Sequence, residues 1–123
     1  MASIIVMSGP QQGDYYPLGQ RTNVIGRADA NPIQILDDKV SRKHLQIHFD
    51  HDKQQYHALD MKSKSGVFIN GSKIDSETAL ADGDQILIGQ TIVLFTLDDF
   101  PDRESAQSHF KKVGERIRDT LVD

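Results

Sequence analysis

Three short segments of the chain gather residue types suited to taking up an anion. Gly26-Arg27 directly follows the apolar run Val24-Ile25. Glycine lets the backbone turn, and arginine then presents planar, bidentate donors. Val40-Ser41-Arg42-Lys43-His44 places a hydroxyl and a guanidinium on adjacent residues of a turn, where they can converge on one ligand. His44 opens the next alternating segment and can bond back into the turn to hold its shape. Ser63-Lys64-Ser65-Gly66 adds hydroxyls, an ammonium and free backbone amides just ahead of Val67-Phe68-Ile69-Asn70-Gly71. A phosphate carries about −1.5 to −2 charges near neutral pH and three strong acceptor oxygens, a demand that such a set meets.

Other chemistry can be assembled from the same stretches. Ser41, His44 and Asp60 are the residue types of a hydrolase triad. They lack a nucleophile elbow, and a serine and histidine three apart at a strand entry need not face each other, so no catalytic residue is expected. His48, Asp50, His51 and Asp52 could ligate a metal, but their spacing matches no zinc pattern, and neither metal nor cofactor is expected. Plainer readings also exist for each basic or hydroxyl residue alone. Arg27 could pair with Asp29 or Asp37, Ser41 could cap a turn, and Lys64 could serve solubility. The three segments together outweigh them.

Composition narrows the field further. A chain of 123 residues suits one compact domain that needs no staple. The absence of cysteine removes disulfides, thiolate catalysis and sulfur-ligated zinc. A formal net charge of −4 argues against nucleic acid and anionic membrane as partners, and the basic loops carry no interleaved aromatics. The distribution points to a local anion site, since Lys39, Arg42 and Lys43 cluster and Met61 to Ile74 holds lysines but no acid. No segment has the apolar length of a membrane span, and the N-terminus has no basic region or cleavage site. A cytoplasmic location is the default expectation.

The elements that must position these loops read as short strands separated by turn signals. Ser3 to Met7, Asn23 to Ile25 and Ile33 to Leu36 are apolar runs. Between His44 and His51 the alternation is clean, with Leu45, Ile47 and Phe49 on one face and His44, Gln46 and His48 on the other. Tyr56 to Asp60 continues after a polar turn. Asn70-Gly71 and Asp82-Gly83 are hairpin signals, flanking Val67 to Ile69 and Gln85 to Ile88. Thr91 to Leu97 is nearly all apolar, as expected of a strand covered on both faces. About ten to eleven strands are expected, forming an antiparallel all-β sandwich over residues 1–99.

After Phe100 the period changes. Ala106, Phe110, Val113, Ile117 and Leu121 form one stripe of an amphipathic helix over residues 100–123. The stripe must cover the sandwich, a second copy of the chain in a homodimer, or a neighbouring protein. The alternative functional reading is therefore a scaffold acting through this helix, with a silent phosphate pocket.

In order and spacing, the loop segments resemble the forkhead-associated domain family, a phosphothreonine-recognition module. Gly26-Arg27, Ser41-Arg42-Lys43-His44 and Asn70-Gly71 match its motifs, and Leu80 to Gly89 resembles its late hairpin. The resemblance covers roughly residues 3 to 97. It implies a non-catalytic module that binds a phosphorylated protein. Arg27 and Ser41 would bind phosphate oxygens, Arg42 would add a contact, and Lys64 would approach from the third loop. Lys39 would sit where the family reads the residue three places beyond the phosphothreonine. His44 would brace the loop, while Gly26, Gly66, Asn70 and Gly71 would shape the backbone. Ser65 departs from the family's usual asparagine, which bonds the peptide main chain, and Val67 replaces a common threonine.

Overall fold

The computed structural model describes residues 2–97. The helix expected over 100–123, with its proposed pairing face, lies outside the described residues. Eleven strands form: β1 (Ser3–Val6), β2 (Tyr15–Pro17), β3 (Asn23–Gly26), β4 (Ile33–Gln34), β5 (Leu45–Asp50), β6 (Gln55–Asp60), β7 (Val67–Ile69), β8 (Ser72–Lys73), β9 (Thr78–Ala79), β10 (Gln85–Ile88) and β11 (Thr91–Thr96). They make two sheets, in the orders β2-β1-β11-β10-β7-β8 and β4-β3-β5-β6-β9. The expected sandwich and strand number are present.

Alternation puts one face of each sheet into a shared core. Leu45 and Ile47 of β5 are buried there, with Phe49 packed at the margin, against Ile86, Ile88, Val93 and Phe95 of the other sheet. Each such side chain contributes roughly 1.5–3 kcal/mol when fully buried, which lets the described sandwich hold without a disulfide. β11 is buried on both sides, as its continuous apolar sequence predicts. Val93 and Phe95 enter the main core, while Leu94 packs with Ile5, Met7 and Tyr15 on the opposite face.

Two features differ from the sequence expectation. One pair, β3 with β4, is parallel, with Ile25 opposite Ile33 and Gly26 opposite Gln34. The chain leaves β3 at Gly26, loops through residues 27–32, and returns in the same direction, so Arg27 is the first residue of that loop. His44, expected to face outward with Gln46 and His48, is instead fully buried just before β5. Its ring is enclosed between two loops, where the pleat no longer decides direction.

The loop ends follow from the pairings. Gly26 ends β3, Leu45 begins β5 opposite Asp60, and Val67 begins β7 opposite Ile88. Loops 27–32, 35–44 and 61–66 and the Gly89-Gln90 turn therefore emerge at one end of the sandwich. Gly26 is where two of these loops meet. A β-carbon there would lie 2.1 Å from the carbonyl oxygen of Arg42, a contact that only glycine avoids. At the far end, Asn70 and Gly71 both have positive φ, 50° and 87°, and close the β7–β8 hairpin with open space around Gly71. Gly26→Ala is expected to cost about 3 kcal/mol by steric displacement of the 41–44 backbone. Gly71→Ala should cost only about 1–2 kcal/mol, because the strain is confined to its own dihedral. Urea unfolding of the two variants checks the difference; equal losses would contradict it.

Candidate functional site

Arg27 continues β3 into solvent, and its backbone is locked to the loop that follows β4. Its N–H donates to Ser41 O at 3.0 Å, and Ala28 N–H donates to Arg42 O at 3.2 Å. The guanidinium Nε–H donates to Val40 O at 3.1 Å, which orients the head and leaves the terminal nitrogens for a ligand. Neither Asp29 nor Asp37 pairs with it. Among the described residues, the ion-pair distances belong to His48 and His57.

His44 ties the second loop to the third. Ser41 N–H donates to His44 Nδ1 at 3.0 Å, so Nε2 carries the proton and donates to Gly66 O at 2.7 Å. A neutral imidazole with both nitrogens bonded to backbone is a brace. The triad reading fails here on geometry. Ser41 Oγ accepts from Lys64 N–H at 3.2 Å, and Asp60 Oδ1 accepts from Ser63 N–H at 3.0 Å, so neither meets the imidazole.

The third loop is tied in twice more. Gly66 N–H donates to Ser63 Oγ at 3.0 Å, and Ser65 Oγ–H donates to Lys39 O at 3.2 Å. Ser65 thus joins the two loops. With its proton committed, only its lone pairs remain for an incoming N–H. Asn70 stands apart from this end. Its side chain donates to Asp84 Oδ1 and accepts from Gln85 N–H, pinning the hairpin to β10.

These constraints bring Arg27, Lys39, Ser41, Arg42, Lys64 and Ser65 around one groove of about 640 Å3, with Asp38 and Val40 completing the wall. Four of its eight lining residues are cations and one is an acid, so the groove is electropositive within an acidic chain. All six residues singled out as ligand contacts line it. His44, Gly26, Gly66, Asn70 and Gly71 do not.

Sequence reading weighed Asp37 only as an ion-pair partner of Arg27 and missed its role as a fastener. Its Oδ1 accepts from Lys39 N–H at 2.8 Å, and its Oδ2 accepts from Gln90 N–H and the Thr91 hydroxyl, both at 2.8 Å. It fastens the groove loop to the β10–β11 turn. Partial burial pushes its carboxyl up, but these hydrogen bonds outweigh that and hold it below its ordinary value of 3.8. The only local signal was an acid two residues before a basic turn, while Gln90 and Thr91 lie more than fifty positions away.

Because the folded form binds the Asp37 proton less readily than the unfolded form, its stabilisation is complete above the ordinary carboxylate value. It is lost as pH falls through the lower folded value. Asp37→Asn should therefore lose about 1–3 kcal/mol at neutral pH. It should also show a shallower fall in melting temperature than the parent on acidification below pH 3.8. Parallel acid titrations of the two proteins would contradict this role.

Comparison with known proteins gives a consistent set of likenesses. The FHA domain model matches residues 23–89, more than half of the chain. An FHA domain-containing protein of Arabidopsis thaliana is 30% identical over 127 residues, covering 98% of this chain and 32% of that protein. The glycogen accumulation regulator GarA of Mycobacterium tuberculosis is 30% identical over 94 residues, covering 76% of this chain and 56% of that protein. The chain thus spans less than two thirds of the length of either relative. A solved structure from a study of phosphothreonine-dependent FHA domain interactions superposes with a TM-score of 0.71 at 28% identity. It covers 80% of this chain and 98% of that one.

Proposed function

The chain belongs to the forkhead-associated (FHA) domain family, and from that premise we propose that it recruits a phosphothreonine-bearing protein by seating the phosphate between Arg27, Ser41 and Arg42. Members of the family are binding modules without chemistry of their own, and this chain is such a module. The observation that carries the proposal is the groove itself. Arg27, Lys39, Ser41, Arg42, Lys64 and Ser65 line it, and its cations are left unpaired by carboxylates among the described residues.

The terminal nitrogens of Arg27 supply a bidentate fork whose direction is set by the Val40 carbonyl. Ser41 offers a hydroxyl whose oxygen already accepts from Lys64 N–H, leaving its proton for a phosphate oxygen. Arg42, exposed beside it, adds charge. Lys64 approaches the phosphate from the third loop, and Lys39 meets the residue three places beyond the phosphothreonine. Ser65 braces the wall in place of an asparagine that would grip the peptide backbone, so the phosphate carries more of the affinity. The encounter takes place in the cytoplasm, where kinases supply the mark.

Degenerate peptide pools bearing phosphothreonine, phosphoserine or neither provide the test. The phosphothreonine pool should bind best. Arg27→Ala and Ser41→Ala should each weaken its binding about 10- to 100-fold, the worth of a charge-assisted hydrogen bond. No preference for phosphorylated pools, or variants that bind like the parent, would overturn the proposal.

A further inference from the structure

A second cluster of chemically active groups lies on the outer face of the sheet β4-β3-β5-β6-β9, away from the loops of the groove. His48 of β5 and His57 of β6 are direct cross-strand partners. Their ring centres are 5.5 Å apart and tilted by 39°. Glu77 enters from the residue preceding β9, which pairs with β6 through His57 and Ala58. Its Oε1 lies 3.0 Å from His48 Nε2 and its Oε2 lies 3.5 Å from His57 Nδ1.

Protons alone do not satisfy this cluster when both rings are neutral. If each ring donates to Glu77, His48 Nδ1 and His57 Nε2 remain as lone pairs, and both atoms are buried without a hydrogen-bond partner. His57 Nε2 moreover faces Asp50 Oδ2 at 3.9 Å, acceptor toward acceptor. One cation between the three side chains changes the balance. His48 Nε2, His57 Nδ1 and the Glu77 carboxylate then all act as ligands. The His57 proton moves to Nε2, where it faces Asp50. That is the carboxylate–histidine–metal arrangement, in which the outer carboxylate orients the ligating ring.

Distances agree with this reading. Four-coordinate zinc, about 2.0–2.2 Å from nitrogen and oxygen donors, separates neighbouring donors by roughly 3.3 Å. One ligand atom from each residue lies within 4.8 Å of the other two, and the two oxygens of Glu77 already stand 3.0 Å from His48 Nε2 and 3.5 Å from His57 Nδ1. Imidazole selects zinc-class ions over magnesium or calcium. Glu77 is 47% exposed and gives the ion a path in, and three protein ligands leave a fourth position for water. We infer that His48, His57 and Glu77 form a binding site for a zinc-class divalent metal ion, oriented by Asp50. This differs from the set suggested by chain spacing, because His51 turns away to pack edge-on against Phe49 at 4.8 Å.

Calorimetric titration of the full chain with zinc chloride tests the site. Saturation at one ion per chain and a raised melting temperature are expected. Glu77→Gln, at a half-exposed position that does not endanger the fold, should weaken binding at least about 10-fold, and Asp50→Asn about 10- to 100-fold. His51→Ala and Arg27→Ala should bind zinc like the parent, which separates this site from the phosphate groove. The rival is a proton clamp, with doubly protonated His57 held between Glu77 and Asp50. Absence of saturable binding, or Glu77→Gln binding like the parent, would overturn the metal site.

Discussion

The groove depends on one buried imidazole. His44 is fully enclosed, and its two nitrogens join the amide of Ser41 to the carbonyl of Gly66. A polar ring is stable in such a place only if both nitrogens are bonded. The ring therefore fixes the separation of two loops as a rigid spacer would. Each backbone group orphaned by its loss would cost about 1–3 kcal/mol, and both belong to the loops that carry the site. The same accounting removes His44 from catalysis, since no nitrogen is left to take a proton from Ser41.

The other constraints extend this spacer into a frame. Gly26 lets β3 pass against the Arg42 carbonyl, and that carbonyl accepts from both Ala28 N–H and the Asn31 side chain. Asp37 fastens the opposite flank to the β10–β11 turn, and Ser65 joins it to the third loop. Backbone groups and small side chains thus hold the loops. The long cationic side chains stay in solvent, where their desolvation cost is low and their charge is free for a ligand. A groove arranged in this way can be stiff without burying its own charges.

What could be read along the chain was what adjacent residues encode. The alternation of β5, the Asn70-Gly71 turn and the contiguous Ser41-to-His44 segment are local patterns, and each predicted its element. The very short strands β2, β8 and β9 left little pattern to read, and Pro17 within β2 is tolerated there because that strand is an edge. Asp37, and the meeting of His48 with His57 and Glu77, were illegible for a different reason. Strand register and sheet order decide those proximities, and neither leaves a period in the sequence. His44 sits between the cases, because its motif was legible while its burial contradicted the alternation around it.

Charge is where local and global readings part. A net charge of −4 describes the whole chain, yet a phosphate in the groove would meet Arg27, Arg42, Lys39 and Lys64 first. At physiological salt the field of an exposed charge is screened over about 8 Å, so acids on distant faces of the sandwich weigh little against cations in contact. A polyanion must approach the whole surface, whereas a single phosphate needs only the groove. The charge lining the groove, rather than the net charge of the whole chain, therefore decides what an anion meets on contact.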